Sequence, residues 1–581
     1  MKTAVGDSRS FNNLQLFSKE KGAFFMCTRL MAVLIMVAPL YGAAASFRNT
    51  VERWGQQEVS ITSVRNYENP FAEVEFSAVF RSGTTEVRAE GFYDGDHTWR
   101  VRLMPAVEGR WSFATSSNNP ELDGKHGEFI VTPASDANHG PIVVRNTYHF
   151  AYADGTPYFP LGTTLYNWLH RETSLQMRTL ATLATSPFNK IRCCVFPKWY
   201  RYNRVEPPLY PYVKTGDNKF DFKRFNPAYF RHIEQRLLDV QGLGIEADLI
   251  LFHPYDHWGY ENMGQENDDA YLHYVIARLA PLRNVWWTMA NEWDFVKPSK
   301  DWDHIFQLVA KLDPYDHPRA IHNGFRFYDH SKPWVTHCNI QDGLLDQYET
   351  TVDARRRYHK PVLVDEYGYE GNNGQGWGNL SGFEEMRRHW KITMAGGYAS
   401  HGETYVHPGD ILWWAVGGEL IGESPARLGF LREVMTAAPY EEMETAPDSV
   451  TDGYALAKPG EYYFFYFGKA ATHGRLRQIL AGRDVYNGGI SEQDLRSLFQ
   501  QSRRPEKPAI TIPGDGAFLI EAIDPWLMEV YRLGYVRPGS YPIVPLFRPI
   551  VFRAIRKDPP AGLKPGSLEE ALSRWKAASS R

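Results

Sequence analysis

The chain has 581 residues, room for about three to four domains at roughly 150 residues each. Hydrophobic residues make up 43% and aromatics 14%, a mixture that builds packed cores and excludes wholesale disorder. Lysine and arginine number 64 against 68 acidic residues, for a net charge of −4. With no long basic run, nucleic-acid binding has no electrostatic support.

The first predicted feature is a leader. Leu30 to Tyr41 reads LMAVLIMVAPLY, with Arg29 before it and Ala43-Ala44-Ala45 after it. A basic flank, a short apolar run and a small-residue cleavage pattern make a secretory signal peptide over residues 1–45, with Met26 as an alternative start. The run falls short of the about 20 residues of a membrane span, so no integral span is expected after cleavage; an uncleaved anchor is the alternative. The expected location is periplasmic or extracellular. Three cysteines follow the leader: Cys193, Cys194 and Cys338. Neighbours on a strand point to opposite faces, so Cys193 and Cys194 do not pair, and all three read as buried thiols.

Residues 46–144 carry short alternating runs such as VEFSAVF, TWRVRLMP, GRWSFATS and GEFIVTP, separated by turns. This spacing predicts a β-sandwich. Residues 145–439 alternate apolar strands with helical patterns. The candidate strands are 158–164, 188–196, 245–252, 284–290, 318–323, 334–340, 360–366 and 410–416. Eight βα units over this length predict a (β/α)8 barrel. A doubly wound open sheet is the competing solution, but no glycine-rich phosphate motif follows any strand. Residues 440–581 return to strand signals at 461–468, 508–513 and 516–526, which predict a second, smaller sandwich. A Ser567-x-x-Glu570 capping box opens a terminal helix.

Two carboxylates stand out. The fourth candidate strand, VWWTMA, runs into Asn291-Glu292-Trp293; the seventh, PVLVD, runs into Glu366-Tyr367-Gly368. The C-terminal ends of barrel strands line one mouth, so two glutamates far apart in sequence can meet there. Splitting a glycosidic bond requires one protonated and one ionised carboxyl group. Asp365 is the alternative to Glu366, because strand alternation lets only one of the pair face the cleft. No Gly-x-Ser-x-Gly elbow accompanies a candidate triad.

Asn-Glu ending strand four and Glu-aromatic-Gly ending strand seven resemble the clan A retaining glycoside hydrolases. YHFAYADGTPYFPLGTTLYNW at 148–168 resembles the opening segment of the bacterial apiosidase-like barrel enzymes. The preceding sandwich resembles a domain of unknown function attached to such hydrolases, and the C-terminal section a small β-domain of the same architectures. The resemblance implies that Glu292 is the general acid/base, Glu366 the nucleophile and Asn291 a donor to the sugar 2-hydroxyl. The substrate is then a poly- or oligosaccharide and no cofactor is needed. The family often has Asp where this chain has Thr163, so substrate identity does not transfer. A catalytically silent carbohydrate-binding or cell-surface protein is the alternative.

Further candidates flank the strand ends. His253 follows strand three and is expected to bind a sugar hydroxyl or to orient a carboxylate. Zinc is not expected, since Pro254 breaks any helix joining His253 to His257. His322 ends strand five, and His337, Asn339 and Gln341 surround strand six; His322 and Gln341 are the binding candidates. Trp168, Trp199, Trp258, Trp293 and Trp414 lie at or after strand ends, where indoles can pack on sugar faces. Trp414, read on strand eight, is the expected platform, with Trp199 beside it. His401 and Glu403 are read as wall residues ahead of that strand, Glu403 being the runner-up carboxylate but without a strand-end context. The aromatic, proline-rich loop 198–220 is expected to narrow the site.

Overall fold

The computed structural model describes residues 45–343, 347–409, 411–468, 508–543 and 549–579. The leader lies outside these residues. No described helix is long and apolar enough to cross a membrane.

The N-terminal region is built from short, mostly antiparallel strands in one eight-stranded sheet that turns back on itself. The turn falls within Thr85–Tyr93. Residues Thr85 to Glu90 pair with Phe76–Ser82, and Gly91 to Tyr93 pair with Thr98–Leu103. At Gly91 the backbone comes so close to Phe76 that a Cβ would lie 2.2 Å from its ring. A side chain would block the corner. Val59, Phe80, Trp99, Val101, Trp111 and Phe113 fill the space between the two halves.

The central region is a parallel eight-stranded barrel. In chain order its strands are Leu161–Thr164, Lys190–Cys194, Glu246–Phe252, Val285–Ala290, Arg319–Ala320, Cys338–Gln341, Val362–Glu366 and Tyr398–His401. Each pairs in parallel with its neighbours, and the eighth returns to the first in the register Leu161 to Ala399. A single bridge between His322 and Asn339 joins the fifth and sixth strands. A small sheet of Ile142–Arg145, His149–Tyr152 and Pro157–Tyr158 covers the strands' N-terminal ends, with Phe150 set 5.0 Å from Trp286.

The helices follow ordinary capping chemistry. Asn226 accepts a hydrogen bond from the Ala228 amide at 3.2 Å, and Pro227 opens the helix Pro227–Gly242. That helix turns Tyr229, Phe230, Ile233, Leu237 and Val240 onto the barrel. No helix joins the fifth and sixth strands among the described residues.

The eighth strand differs from expectation. It is Tyr398–His401, while Trp413–Val416 forms one helical turn; Asp410 lies outside the described residues. Gly396, at φ +75°, stops the preceding helix, and the Gly397 amide reaches back to the Ile392 carbonyl. The chain then re-enters the sheet at once and occupies the edge of strand one. The apolar run after it is left to lie across that strand's extension, where the Trp414 and Ala415 carbonyls accept from the amides of Tyr166 and Asn167. Segment 410–416 has strand-like composition, but its pairing position is already filled.

The C-terminal region has a six-stranded antiparallel sheet and a three-stranded sheet. Aromatic side chains join it to the barrel helices: Trp390 stacks on Tyr466, and Tyr348 lies 4.2 Å from Tyr454. The final helix, Leu568–Ser579, begins with the Ser567–Glu570 reciprocal cap. Cys193, Cys194 and Cys338 are free and buried.

Candidate active site

The fourth strand is wholly buried as far as Ala290. Asn291 continues it, its amide bonded to the Phe252 carbonyl. Glu292 then adopts a left-handed conformation, φ +50°, at a cost of roughly 1–2 kcal/mol. Its carboxylate accepts hydrogen bonds from the Tyr255 hydroxyl and, at 3.0 Å, from Asn291 Nδ2.

On the seventh strand Ile340 faces Val364, whereas Gln341 faces Glu366. One residue has been skipped, so the alternation of side chains is broken. Asp365 and Glu366 therefore both point inward. Asp365 lies among Lys190 Nζ at 3.4 Å, Arg192 and the Ser400 hydroxyl. Glu366 lies one level higher. Its Oε1 accepts from the Tyr166 hydroxyl, from Arg192 NH1 at 3.0 Å and from His322 Nε2 at 3.3 Å. The expectation that only one acid faces the cleft fails because a bulge supplies the extra residue.

The two glutamates are linked through shared partners. Asn291 gives Nδ2 to Glu292, and its Oδ1 accepts from Arg192 NH2 at 2.7 Å and lies 3.0 Å from the Tyr166 hydroxyl. Arg192 and Tyr166 also hold Glu366. This fixes Asn291's amide orientation and ties both strand ends into one network.

The environment drives the two carboxyls apart. For Glu366, burial raises the pKa. The His322 hydrogen bond and charge, Arg192 and the Tyr166 hydroxyl outweigh it and hold the group far below the ordinary carboxylate range. For Glu292, burial raises the pKa first and the charge of Glu366 adds to it, against smaller opposing effects of Lys198, Tyr255 and His322. One group is kept as an anion and the other is pushed toward its protonated form. Asp365 is held at about 2; burial raises it, and Lys190 and Arg192 overcome that.

The other sequence candidates divide into two groups. His322 lies in the network, with Nδ1 2.7 Å from Asn339 Oδ1 and Nε2 3.2 Å from Gln341 Oε1. Trp414 is 6% exposed and meets Tyr166 edge-on at 5.1 Å. Tyr200 and Tyr202 of loop 198–220 pack against it, as does Trp377, which is 37% exposed. Trp199 stacks on His257 at 3.9 Å.

His253 and His401 do not reach either glutamate. His253 is buried and faces the Phe196 carbonyl, while its Nδ1 accepts from the Tyr255 amide; burial lowers its pKa to about 3. It braces the backbone that carries Tyr255. His257 pairs instead with Glu206. His401 is the last residue of the eighth strand, bonded to Thr163 at 3.0 Å and stacked on Phe188. Expected as wall residues, His401 and Glu403 are fixed within the framework instead. Glu403 accepts the amides of Ile421 and Gly422, and burial raises it to about 7.

Arg192, Tyr166, Tyr255 and Lys198 escaped sequence reasoning. Arg192 had a signal, a cation inside the apolar strand KIRCC. The other three sit in loops after strands, where only the tertiary fold gathers them.

A family model for the apiosidase-like catalytic domain matches residues 144–423, and one for a domain of unknown function, DUF5060, matches residues 50–118. A protein from Bacteroides vulgatus ATCC 8482, provisionally assigned as a glycoside hydrolase, is 35% identical. Its match covers 88% of this chain and 100% of its own, with a TM-score of 0.73. A glycoside hydrolase family 5 protein of the same bacterium shares the fold at 15% identity and a TM-score of 0.55, covering 75% of this chain and 98% of its own. No curated protein matches. On its match over the whole length of the 35%-identical structure, the chain belongs to the glycoside hydrolases, with a barrel that matches the apiosidase-like catalytic domain.

Proposed function

We propose that the enzyme is a retaining glycosidase in which Glu366 is the nucleophile and Glu292 the general acid/base. The opposite displacement of their pKa values within one hydrogen-bonded network carries this reading. Arg192 and His322 keep Glu366 ionised, so it can attack the anomeric carbon as the leaving oxygen takes the proton of Glu292. The glycosyl group becomes an ester of Glu366. Glu292, now an anion, takes a proton from water, which attacks the same carbon and releases Glu366. The Tyr166 hydroxyl can donate to only one acceptor at a time. It can pass from Glu366 to Asn291 as the carboxylate becomes an ester and loses its charge.

The sugar chain would lie against Trp414 and Trp377 on one side. The leader Leu30–Tyr41 supports export, and the substrate is proposed to be a poly- or oligosaccharide met outside the cytoplasm. The deciding experiment is proton NMR of the first-formed product. Retained anomeric configuration, together with a glycosyl adduct on the peptide containing Glu366, is the expected result. Inverted product would replace this mechanism with single displacement.

A further inference from the structure

Lys198 is 2% exposed, yet among the described residues nothing accepts a hydrogen bond from its Nζ or forms an ion pair with it. Four rings surround the ammonium, with centroids at 3.6 Å for Tyr166, 4.3 Å for Tyr255, 4.6 Å for Tyr200 and 5.6 Å for Trp414. Tyr166 and Tyr255 are the residues whose hydroxyls touch Glu366 and Glu292. The cation therefore sits on the wall between the two carboxylates.

Its position is not an accident of a flexible side chain. Buried Asn167 clamps the Lys198 backbone from both sides, giving Nδ2 to the carbonyl at 2.9 Å and taking the amide onto Oδ1 at 2.6 Å. Asn203 adds a second donor to that carbonyl at 3.1 Å. The ring faces offset part of the desolvation of the ammonium but supply no acceptor lone pairs.

The two buried cations of the second strand are paired. Lys190 holds Asp248 at 2.7 Å, and Arg192 holds Glu366 and Asn291. A rigid ammonium with unused donors is built for a ligand that brings acceptors and negative charge.

We infer that the cleft selects a sugar bearing a carboxylate group and that Lys198 is the residue that binds it. The inference rests on the glycosidase reading for the sugar and on the geometry of Lys198 for the acid. A uronate carboxylate would supply the missing acceptors. Protonated Glu292 would not compete for the ammonium.

The test uses acidic pectic and hemicellulosic glycans, each before and after chemical reduction of its carboxyl groups, which keeps the linkage and removes the charge. Wild-type enzyme should cleave an acidic form with kcat/KM about 100-fold above its reduced counterpart. Lys198→Met should abolish that preference, lowering kcat/KM on the acidic form far more than on its reduced counterpart. Lys198→Arg should keep most of it, and unchanged melting temperatures show that both variants fold. Calorimetric titration of Glu366→Gln with the same pairs reads affinity without turnover. Absence of cleavage with tighter binding of the acidic form would reject the hydrolase reading and keep the carboxylate site. Equal handling of acidic and reduced forms, or an equal loss on both in Lys198→Met, would overturn the inference.

Discussion

The molecule buries two clusters of charge, and they are built on opposite plans. Where the N-terminal sandwich meets the barrel, Glu58, Asp94 and Glu234 are each held by two or more guanidiniums from Arg100, Arg102, Arg231 and Arg278. Burial raises Asp94 and Glu234, and the arginines reverse it, so both lie below their ordinary values. The ring of Phe92 lies between Arg102 and Arg278. At the barrel mouth the same residue types are left unbalanced: one glutamate is held as an anion, the other is pushed up, and Lys198 forms no direct ion pair among the described residues. A brace satisfies every charge, whereas a reactive site keeps some of them waiting for substrate.

The sharpest way to break this contrast is Glu366→Ala. Turnover should fall by about 10^4-fold or more, and azide should restore it as a glycosyl azide detectable by mass spectrometry. Unchanged activity would remove Glu366 from the mechanism. Glu292→Gln should lower kcat about 10²- to 10⁴-fold on sugars with poor leaving groups. The loss should be smaller for an activated aryl glycoside, and the alkaline limb of the pH–rate profile should vanish.

In the brace, Glu234→Ala should cost about 1–3 kcal/mol of stability, because Arg102 and Arg278 each lose one partner but keep Glu58 and Asp94. Its kcat at a permissive temperature should not change, a result that denaturant unfolding and steady-state kinetics check together. The same acid sets a pH window. Its folded pKa is depressed, so its stabilisation is present above the unfolded value of about 4.3 and is lost as pH falls through the folded one. Glu292 has the opposite sign. Its folded pKa is raised, so stability is lost as pH rises from its unfolded value through the folded one. The melting temperature of Glu292→Gln should therefore exceed wild type by a margin that grows across that interval, and a constant margin would contradict the burial account. The smallest effect belongs to Trp377→Ala. Loss of an exposed platform should raise KM about 2- to 10-fold and leave kcat alone.

Much of the mouth was legible because of where polarity breaks out of apolar runs. Asn291-Glu292 and Glu366 follow strands of valine, leucine and tryptophan, and a barrel gives such positions one destination. His322 and Gln341 follow the same logic. What composition could not show was which segment wins a place in the sheet. The short YASH run took the eighth position from the more strand-like 410–416, because pairing beside strand one was settled by the glycine stop before it. His401 changed place for that reason. Tyr166, Tyr255 and Lys198 come from separate loops, and no periodicity links residues that meet only after the barrel closes.

The skipped residue at Asp365–Glu366 has a consequence for how this enzyme can change. Swapping side chains there alters one group at a time, whereas removing Asp365 would restore ordinary alternation and bring Glu366 into the inward position directly after Val364, still beside Gln341. The number of acids aimed into the barrel is thus written in chain length as well as in residue identity. Such a deletion would leave one inward acid where there were two, taking a buried partner from Lys190 and Arg192 while keeping an acid at the mouth.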